Sequence, residues 1–243
     1  MKRGELERLL QTVDELEDAR RRLHRAEVLE REMEHDRAVA ARAPDVERVA
    51  LGRRDAIQPI LRGLERQWVS QGPLVANWQR AVELQQQAES AGVDAAPYRA
   101  DADDARRTVE AARLETRDWL GQLTAEREAL MDAAVDAPFD LEPAPPVGDD
   151  DRPEAARRQA LALTELAVGI AEVAVSERRQ AERRLAEASA ELEAIGSAAG
   201  LAEHERRLRA QLPDVVTFSG SEPPSAAMRL ERIGVRVDRP SGG

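Results

Sequence analysis

The sequence contains no cysteine, and its only lysine is Lys2. The first absence excludes disulfides, cysteine nucleophiles and thiolate metal sites. The second excludes a phosphate-binding loop, which requires Gly-x-x-x-x-Gly-Lys-[Ser/Thr]. All other basic residues are arginine, a bias typical of a GC-rich bacterial genome. The lack of cysteine fits a reducing compartment, and the first residues lack the apolar core of a signal peptide, so we expect a cytoplasmic protein.

Aromatic residues are also scarce, at 2% of the chain, whereas charged residues make up 34%. Few aromatics disfavour a β-sandwich, and abundant Ala, Leu, Glu and Arg favour long helices. The formal net charge of −11 disfavours a nucleic-acid partner. The longest apolar stretch, 161–175, is shorter than the about 20 residues of a membrane span. We therefore expect neither nucleic-acid binding nor a membrane span.

Apolar residues recur at steps of three and four in four segments, which predicts long helices over about 4–43, 45–91, 95–135 and 154–212. Pro44 is expected to separate the first two helices, and Gly72-Pro73 to turn or kink the second. Gly92 is the predicted C-cap of that helix, and Pro97 lies in the first turn of the next. The clearest seam belongs to the third helix: Tyr98, Ala102, Ala105, Val109, Ala112, Thr116, Trp119, Leu123 and Leu130.

The predicted fold class is all-α: an elongated antiparallel helical bundle or coiled coil of four long helices, with a short irregular C-terminal tail that contains small β-strands. Residues 1–136 are expected to form the antiparallel bundle, and 137–153 a linker rich in proline and aspartate. The linker either crosses the length of the bundle or separates two helical units. Residues 154–212 are predicted to be a long helix that packs back on the bundle, and 213–243 an interaction tail that is partly disordered. Tryptophans are expected to anchor the core, with Trp68 and Trp78 around the 72–73 break.

The tail after Pro213 differs from the rest of the chain. Residues 215–218 and 235–237 are predicted strands, and 226–233 a short helix. The strands are expected to pair with each other or to add to the sheet of a partner. Because the tail is basic and the body is acidic, the tail is expected to dock on an acidic partner or on its own bundle. The candidate partner-binding residues are Val215, Phe218, Met228, Arg229, Arg232 and Arg236.

One pattern points to metal chemistry. Glu32 and His35 have the Glu-x-x-His spacing that places two ligands of a di-iron site on one helix face. A ferritin-like site needs a second such motif, and neither His24 nor His204 has a glutamate three residues before it. We therefore expect no metal, no cofactor and no catalytic residue, and we predict that the protein is not an enzyme.

The order of elements up to residue 93 resembles a known layout. A long polar helix is followed by Ile57-Gln-Pro-Ile-Leu-Arg-Gly-Leu-Glu-Arg66 and by a helix that ends in Ala91-Gly92-Val93. This arrangement is similar to that of GrpE-type nucleotide-exchange factors over about a third of the chain. The β-domain of that family should follow, but another long helix follows here, so the resemblance implies no function or site residue.

These observations favour a non-catalytic coiled-coil scaffold or adaptor that mediates protein–protein interactions. The expected partners are other proteins or a second copy of the chain in a homodimer. Two alternatives stay open. One is a helical-bundle metal-binding protein or enzyme of the ferritin-like kind, and the other is a peripheral membrane or filament-forming helical protein.

Overall fold

The computed structural model describes residues 2–219 and 222–239. Four long helices precede a short tail with two small strands, which confirms the all-α class. The elements are α1 Arg3–Ser90, α2 Ala96–Val135, α3 Pro153–Ile195, α4 Ala198–Gln211, β1 Val215–Thr217, α5 Pro224–Arg232 and β2 Arg236–Asp238. The end of the tail, 239–243, was predicted to be disordered and 219–224 to be a loop; of these, residues 240–243 and 220–221 lie outside the described residues.

The first two predicted helices are one helix, so the separation at Pro44 and a turn at 72–73 are wrong. Helix α1 continues through Pro44, Pro59 and Pro73. A proline inside a helix removes one hydrogen bond and frees a carbonyl group four residues earlier. All three prolines are exposed, so the freed carbonyls lie towards solvent, where water can bond to them. Tertiary packing of the opposite face holds the helix together across these positions.

The turn between α1 and α2 follows the prediction. Gly92 has φ +68°, a left-handed conformation that costs glycine nothing. The amide of Val93 donates to the carbonyl of Ala88 at 3.0 Å, which closes the end of α1. Pro97 lies in the first turn of α2, where its missing N–H is not needed.

The predicted helix 154–212 is instead two helices. Gly196 has φ +96°, which ends α3, and Ser197 begins α4 as its N-cap by accepting a hydrogen bond from the Gly200 amide. A serine N-cap satisfies one of the free amides of the first turn, so a new helix starts at once.

The chain forms two compact units, one of Met1–Arg37 with Glu182–Gly243 and one of Ala38–Ala181. Both boundaries fall inside helices, whereas the predicted divisions lay at 136, 153 and 212. The division differs because α1 and α3 are continuous, and each contributes one part to each unit. We call these the terminal unit and the central unit.

In the central unit, α1 packs antiparallel to α2 and to α3. One cluster joins Ile57 and Leu64 of α1 to Leu123 of α2 and Leu163 of α3. A second cluster lies around Leu130 and contains Ala43, Val46, Ala50, Ala167, Ile170, Ala171 and Ala174. Alanines dominate the α3 side, and small side chains allow close approach of the helix axes.

The segment between α2 and α3 crosses this bundle, as one of the two alternatives for the linker predicted. Phe139 and Leu141 pack against the second cluster, and Ala144 and Val147 belong to or pack on the first. Arg127 donates to the carbonyl oxygens of Ala144 and Pro145, at 2.9 and 2.7 Å, and so fixes the segment on α2. The segment thereby brings α3 back to the start of the bundle.

Candidate interaction surfaces

The tail forms a small β–α–β arrangement in the terminal unit. Strands β1 and β2 pair in parallel, with Val215 opposite Arg236, so the predicted pairing of the strands with each other is confirmed. Helix α5 connects them and buries Ala226, Ala227 and Leu230. The core beneath also contains Leu6, Val13, Leu16 and Ala19 of α1, Leu208 of α4, and Leu212, which follows α4 directly.

The apolar residues among the predicted binding residues are divided by this packing. Phe218 is 6% exposed and lies in the core, so hydrophobic burial accounts for it and it presents no surface to a partner. Val215 is 46% exposed and Met228 is 68% exposed. These two remain candidates for binding, one on the strand and one on the helix.

The predicted basic residues of the tail contact acidic residues of the same chain. Arg229 pairs with Asp14 and Arg232 with Glu17, which joins α5 to the first turns of α1. Arg236 pairs with Asp238 at 3.0 Å. The tail therefore docks on its own helix, one of the two arrangements expected from its charge.

A groove of about 740 Å³ lies between α1 and α3 in the terminal unit. Two ion pairs border it: Arg25 with Glu191 at 2.6 Å, and Arg184 with the buried Asp36 at 2.7 Å. The hydrogen bonds from Arg25 lower the pKa of Glu191. These pairs fix the register of the two helices, because each arginine presents its planar fork to one carboxylate.

The Glu32–His35 pair lines this same groove and does not form part of a metal cluster. Both residues are exposed on α1. Within residues 2–219 and 222–239, no group of three histidine, aspartate or glutamate side chains is placed to hold a metal ion.

Beyond the central bundle, α1 and α2 continue as a two-helix hairpin formed by residues 67–90 and 96–116. Its seam contains Ala102, Val109 and Thr116 of α2, all buried as the sequence predicted. At its base, Gln67 donates to Glu115 and accepts a hydrogen bond from the Thr116 hydroxyl, both at 2.6 Å. On the α1 side, Ala88 near the turn is buried, whereas the larger apolar residues are only partly buried: Leu74, Val75, Trp78, Val82 and Leu84.

Helix α3 begins beside the base of this hairpin. The guanidinium of Arg157 lies 5.2 Å from the centre of the Trp68 ring. A narrow crevice lies beside Pro153, and Leu74, Val75 and Val109 are among the residues that line it. The tryptophan prediction holds in part: Trp119 packs against the first cluster and Trp78 is half-buried, but Trp68 is 45% exposed and does not anchor a core at 72–73.

The exposed side of α1 in the hairpin is nearly free of charge. Between Arg66 and Glu89 only Arg80 and Glu83 are charged, in a chain with 34% charged residues. The low-charge stretch of α3 is different, because Ala167, Ile170 and Ala174 there are buried. In the hairpin, most of the low-charge segment faces solvent, and Val69 is 73% exposed. This surface was not predicted from the sequence, although a run of glutamine and small residues with few charges indicates such a surface.

Comparisons with known protein families, with curated proteins and with solved structures gave no match. One helical stretch, Pro153–Gln211, is long and apolar enough to cross a membrane by length and composition alone. In its most apolar window 33% of the residues are buried, and the core helix of a soluble protein meets the same test. A single stretch of this kind is weak support for a membrane span.

Proposed function

We propose that this protein is a non-catalytic coiled-coil scaffold or adaptor, and that it acts by binding proteins through the exposed α1 side of its hairpin. The observation that carries the proposal is the loss of charge between Arg66 and Glu89 on an exposed helix. A solvated helix of this chain is ordinarily lined with ion pairs, as on α2, where Arg106 pairs with Glu110.

The composition of this side suits a protein interface. The centres of such interfaces are depleted in charged residues and enriched in aromatic ones. One of the three tryptophans of the chain, Trp68, is exposed at the base of this side. Trp68 is 45% exposed and Val69 is 73% exposed beside it, so a partner can bury both.

The hairpin also holds its exposed residues in a defined arrangement. Its two helices are joined by a five-residue turn, 91–95, and by the hydrogen bonds of Gln67 to Glu115 and Thr116 at its base, and the Arg157–Trp68 contact joins this base to α3. A binding surface on regular, anchored helices is held in a defined shape, so little conformational entropy is lost when a partner binds.

The proposal is tested by photo-crosslinking in the native host. One full-length variant carries a benzophenone side chain at Asn77, on the low-charge side, and a matched control carries it at Arg107, an exposed position of α2. We expect adducts of defined mass from Asn77 and none from Arg107. The absence of adducts at Asn77, or equal yields at both positions, contradicts the proposal.

A further inference from the structure

We propose that the low-charge side of the hairpin is covered by a second copy of the same chain, with the two α1 segments antiparallel about a twofold axis between Ala81 and Val82. The inference rests on the proposed function and specifies its partner. It follows from the positions, the charges and the hydrogen-bonding groups of the exposed α1 residues.

The exposed residues of α1 in the hairpin form a stripe. Successive members of the stripe are three, four, three, four and three residues apart, so they lie on one face of the helix. These members are Pro73, Ala76, Arg80, Glu83, Gln87 and Ser90. The order of these steps is the same in both directions from the midpoint between Ala81 and Val82. An antiparallel copy centred there places every exposed position of the stripe opposite another exposed position.

The charges favour this arrangement. Arg80 and Glu83 are the two charged residues of the segment, and within the part of the chain that the structure describes neither forms an ion pair. The twofold axis places Arg80 of each copy opposite Glu83 of the other. A self-complementary contact repeats each pair, so one sequence feature supplies two intermolecular ion pairs.

The amide side chains favour it as well. In the same register, Asn77 lies opposite Gln86 of the second copy, and both are exposed in the single chain. An amide side chain has both donors and acceptors, so it can bond to another amide. The outer side of α2 offers no such complement, because Arg106 and Arg107 already pair there with Glu110 and Asp104 of the same helix.

A strongly acidic or basic partner has little to recognise on this side. The charges of the segment cancel, since Arg80 and Glu83 are of opposite sign. A second copy needs no additional charge, because it supplies the complement of both residues by symmetry. The geometry therefore points to self-association.

The first experiment is sedimentation velocity of the full-length protein over a range of concentrations. We expect a dimer in the wild-type chain, and about tenfold or weaker dimerisation in Arg80→Glu and in Glu83→Arg, because each change turns two attractive pairs into repulsive ones. The charge-swapped double variant, Arg80→Glu with Glu83→Arg, should regain the wild-type affinity. Arg107→Glu, on the outer side of α2, is the matched control and should dimerise as the wild type does.

The second experiment fixes the register. The chain has no cysteine, so introduced thiols can react only with each other. The variant with both Ala76→Cys and Gln87→Cys should form a covalent dimer under mild oxidation, because these positions face each other across the axis. Ala76→Cys alone should not, since its counterpart in the other copy is then a glutamine.

Several results would overturn the inference: a wild-type chain that stays monomeric, a dimer that Arg80→Glu does not weaken, a charge swap that fails to restore it, or no crosslink from the double cysteine variant. A monomeric chain whose Asn77 crosslinks to a different protein overturns self-association and leaves the proposed function standing. A monomeric chain without any Asn77 adduct contradicts both.

Discussion

The central unit contains the same helix pair in two environments. From Ala43 to Leu64, α1 packs on both α2 and α3, and it buries Ala43, Val46, Ala50, Ile57, Ile60, Leu61 and Leu64. From Glu65 to Gln87, it packs mainly on α2, since α3 reaches only the base of the hairpin through Arg157 and Pro153, and no α1 residue is buried. The third helix is thus what converts a helix pair into a core, and the hairpin lacks it.

The two regions also differ in what covers their uncharged residues. In the three-helix region, α3 and the 137–152 segment cover the apolar face of α1. In the hairpin, the low-charge side of α1 remains exposed to solvent. A lone pair of helices leaves much of each seam residue in contact with water, and most helical stability comes from packing. This difference is the basis of the proposal that a contact outside the single chain completes the hairpin.

The largest test of this comparison is a pair of leucine truncations. Leu64 is fully buried in the three-helix region, so Leu64→Ala should lower the free energy of unfolding by about 3 kcal/mol. Leu74→Ala in the half-buried hairpin seam should cost about 1 kcal/mol or less at concentrations where the chain is monomeric. Urea unfolding measures both values. Equal losses would show that the two regions are packed alike.

Two glycines of α1 provide a second matched pair. A Cβ atom at Gly63 would lie 2.5 Å from Cζ2 of Trp119, so Gly63→Ala must displace the indole and should destabilise the protein by about 2 kcal/mol. No atom lies within 4 Å of a Cβ at Gly72, so Gly72→Ala should stabilise α1 by up to about 1 kcal/mol through helix propensity. Thermal unfolding gives both signs. A stabilised Gly63→Ala variant would contradict the close packing of Trp119.

The proline in the hairpin gives a smaller effect. Pro73 is exposed inside α1, and Pro73→Ala restores an amide that can donate to the Val69 carbonyl. We expect about 1 kcal/mol more local stability and slower amide hydrogen exchange in residues 69–80. Exchange in residues 43–64 should not change. An unchanged or faster exchange near Pro73 would mean that the hairpin helix is not limited by this residue.

The smallest effect concerns the start of α3, the helix that distinguishes the two regions. Hydrogen bonds from the Arg152 side chain and backbone lower the pKa of Asp150 to about 2. Because the folded-state pKa is lowered, the pair stabilises the folded chain above the ordinary aspartate pKa of 3.8, and the contribution is lost as pH falls from there towards 2. Arg152→Gln should return the pKa towards its ordinary value, which carboxyl-carbon NMR titration measures. An unaltered titration curve would contradict the pairing.

The helical fold was predictable because local periodicity carried most of the information. The α2 seam was derived from three- and four-residue steps, and Ala102, Val109, Thr116, Leu123 and Leu130 are all buried as expected. The continuity of α1 through Pro44 and Pro73 was not predictable in this way. A local rule gives the cost of a proline, but the burial of the opposite face that offsets this cost depends on partners distant in sequence.

The tail and the hairpin show the limits of the sequence for the candidate sites. The two strands were predicted within a residue, but the burial of Phe218 and the pairing of Arg229 with Asp14 depend on a contact about two hundred residues away along the chain. The exposure of the low-charge side could not be predicted, because it depends on where α3 begins. Because α3 begins at Pro153, beside the base of the hairpin, it does not cover the low-charge side of α1 beyond that base.

The most direct test of the account is backbone hydrogen exchange of the full-length chain at two protein concentrations, one well below and one well above the dissociation constant of the dimer. The account predicts slower exchange at the higher concentration in peptides from 67–90, because a second copy then covers them. Peptides from 43–64 should be unchanged, since α3 covers that region in every chain. Exchange that is independent of concentration in 67–90, or a change confined to another segment, would contradict the claim that a second copy completes the hairpin.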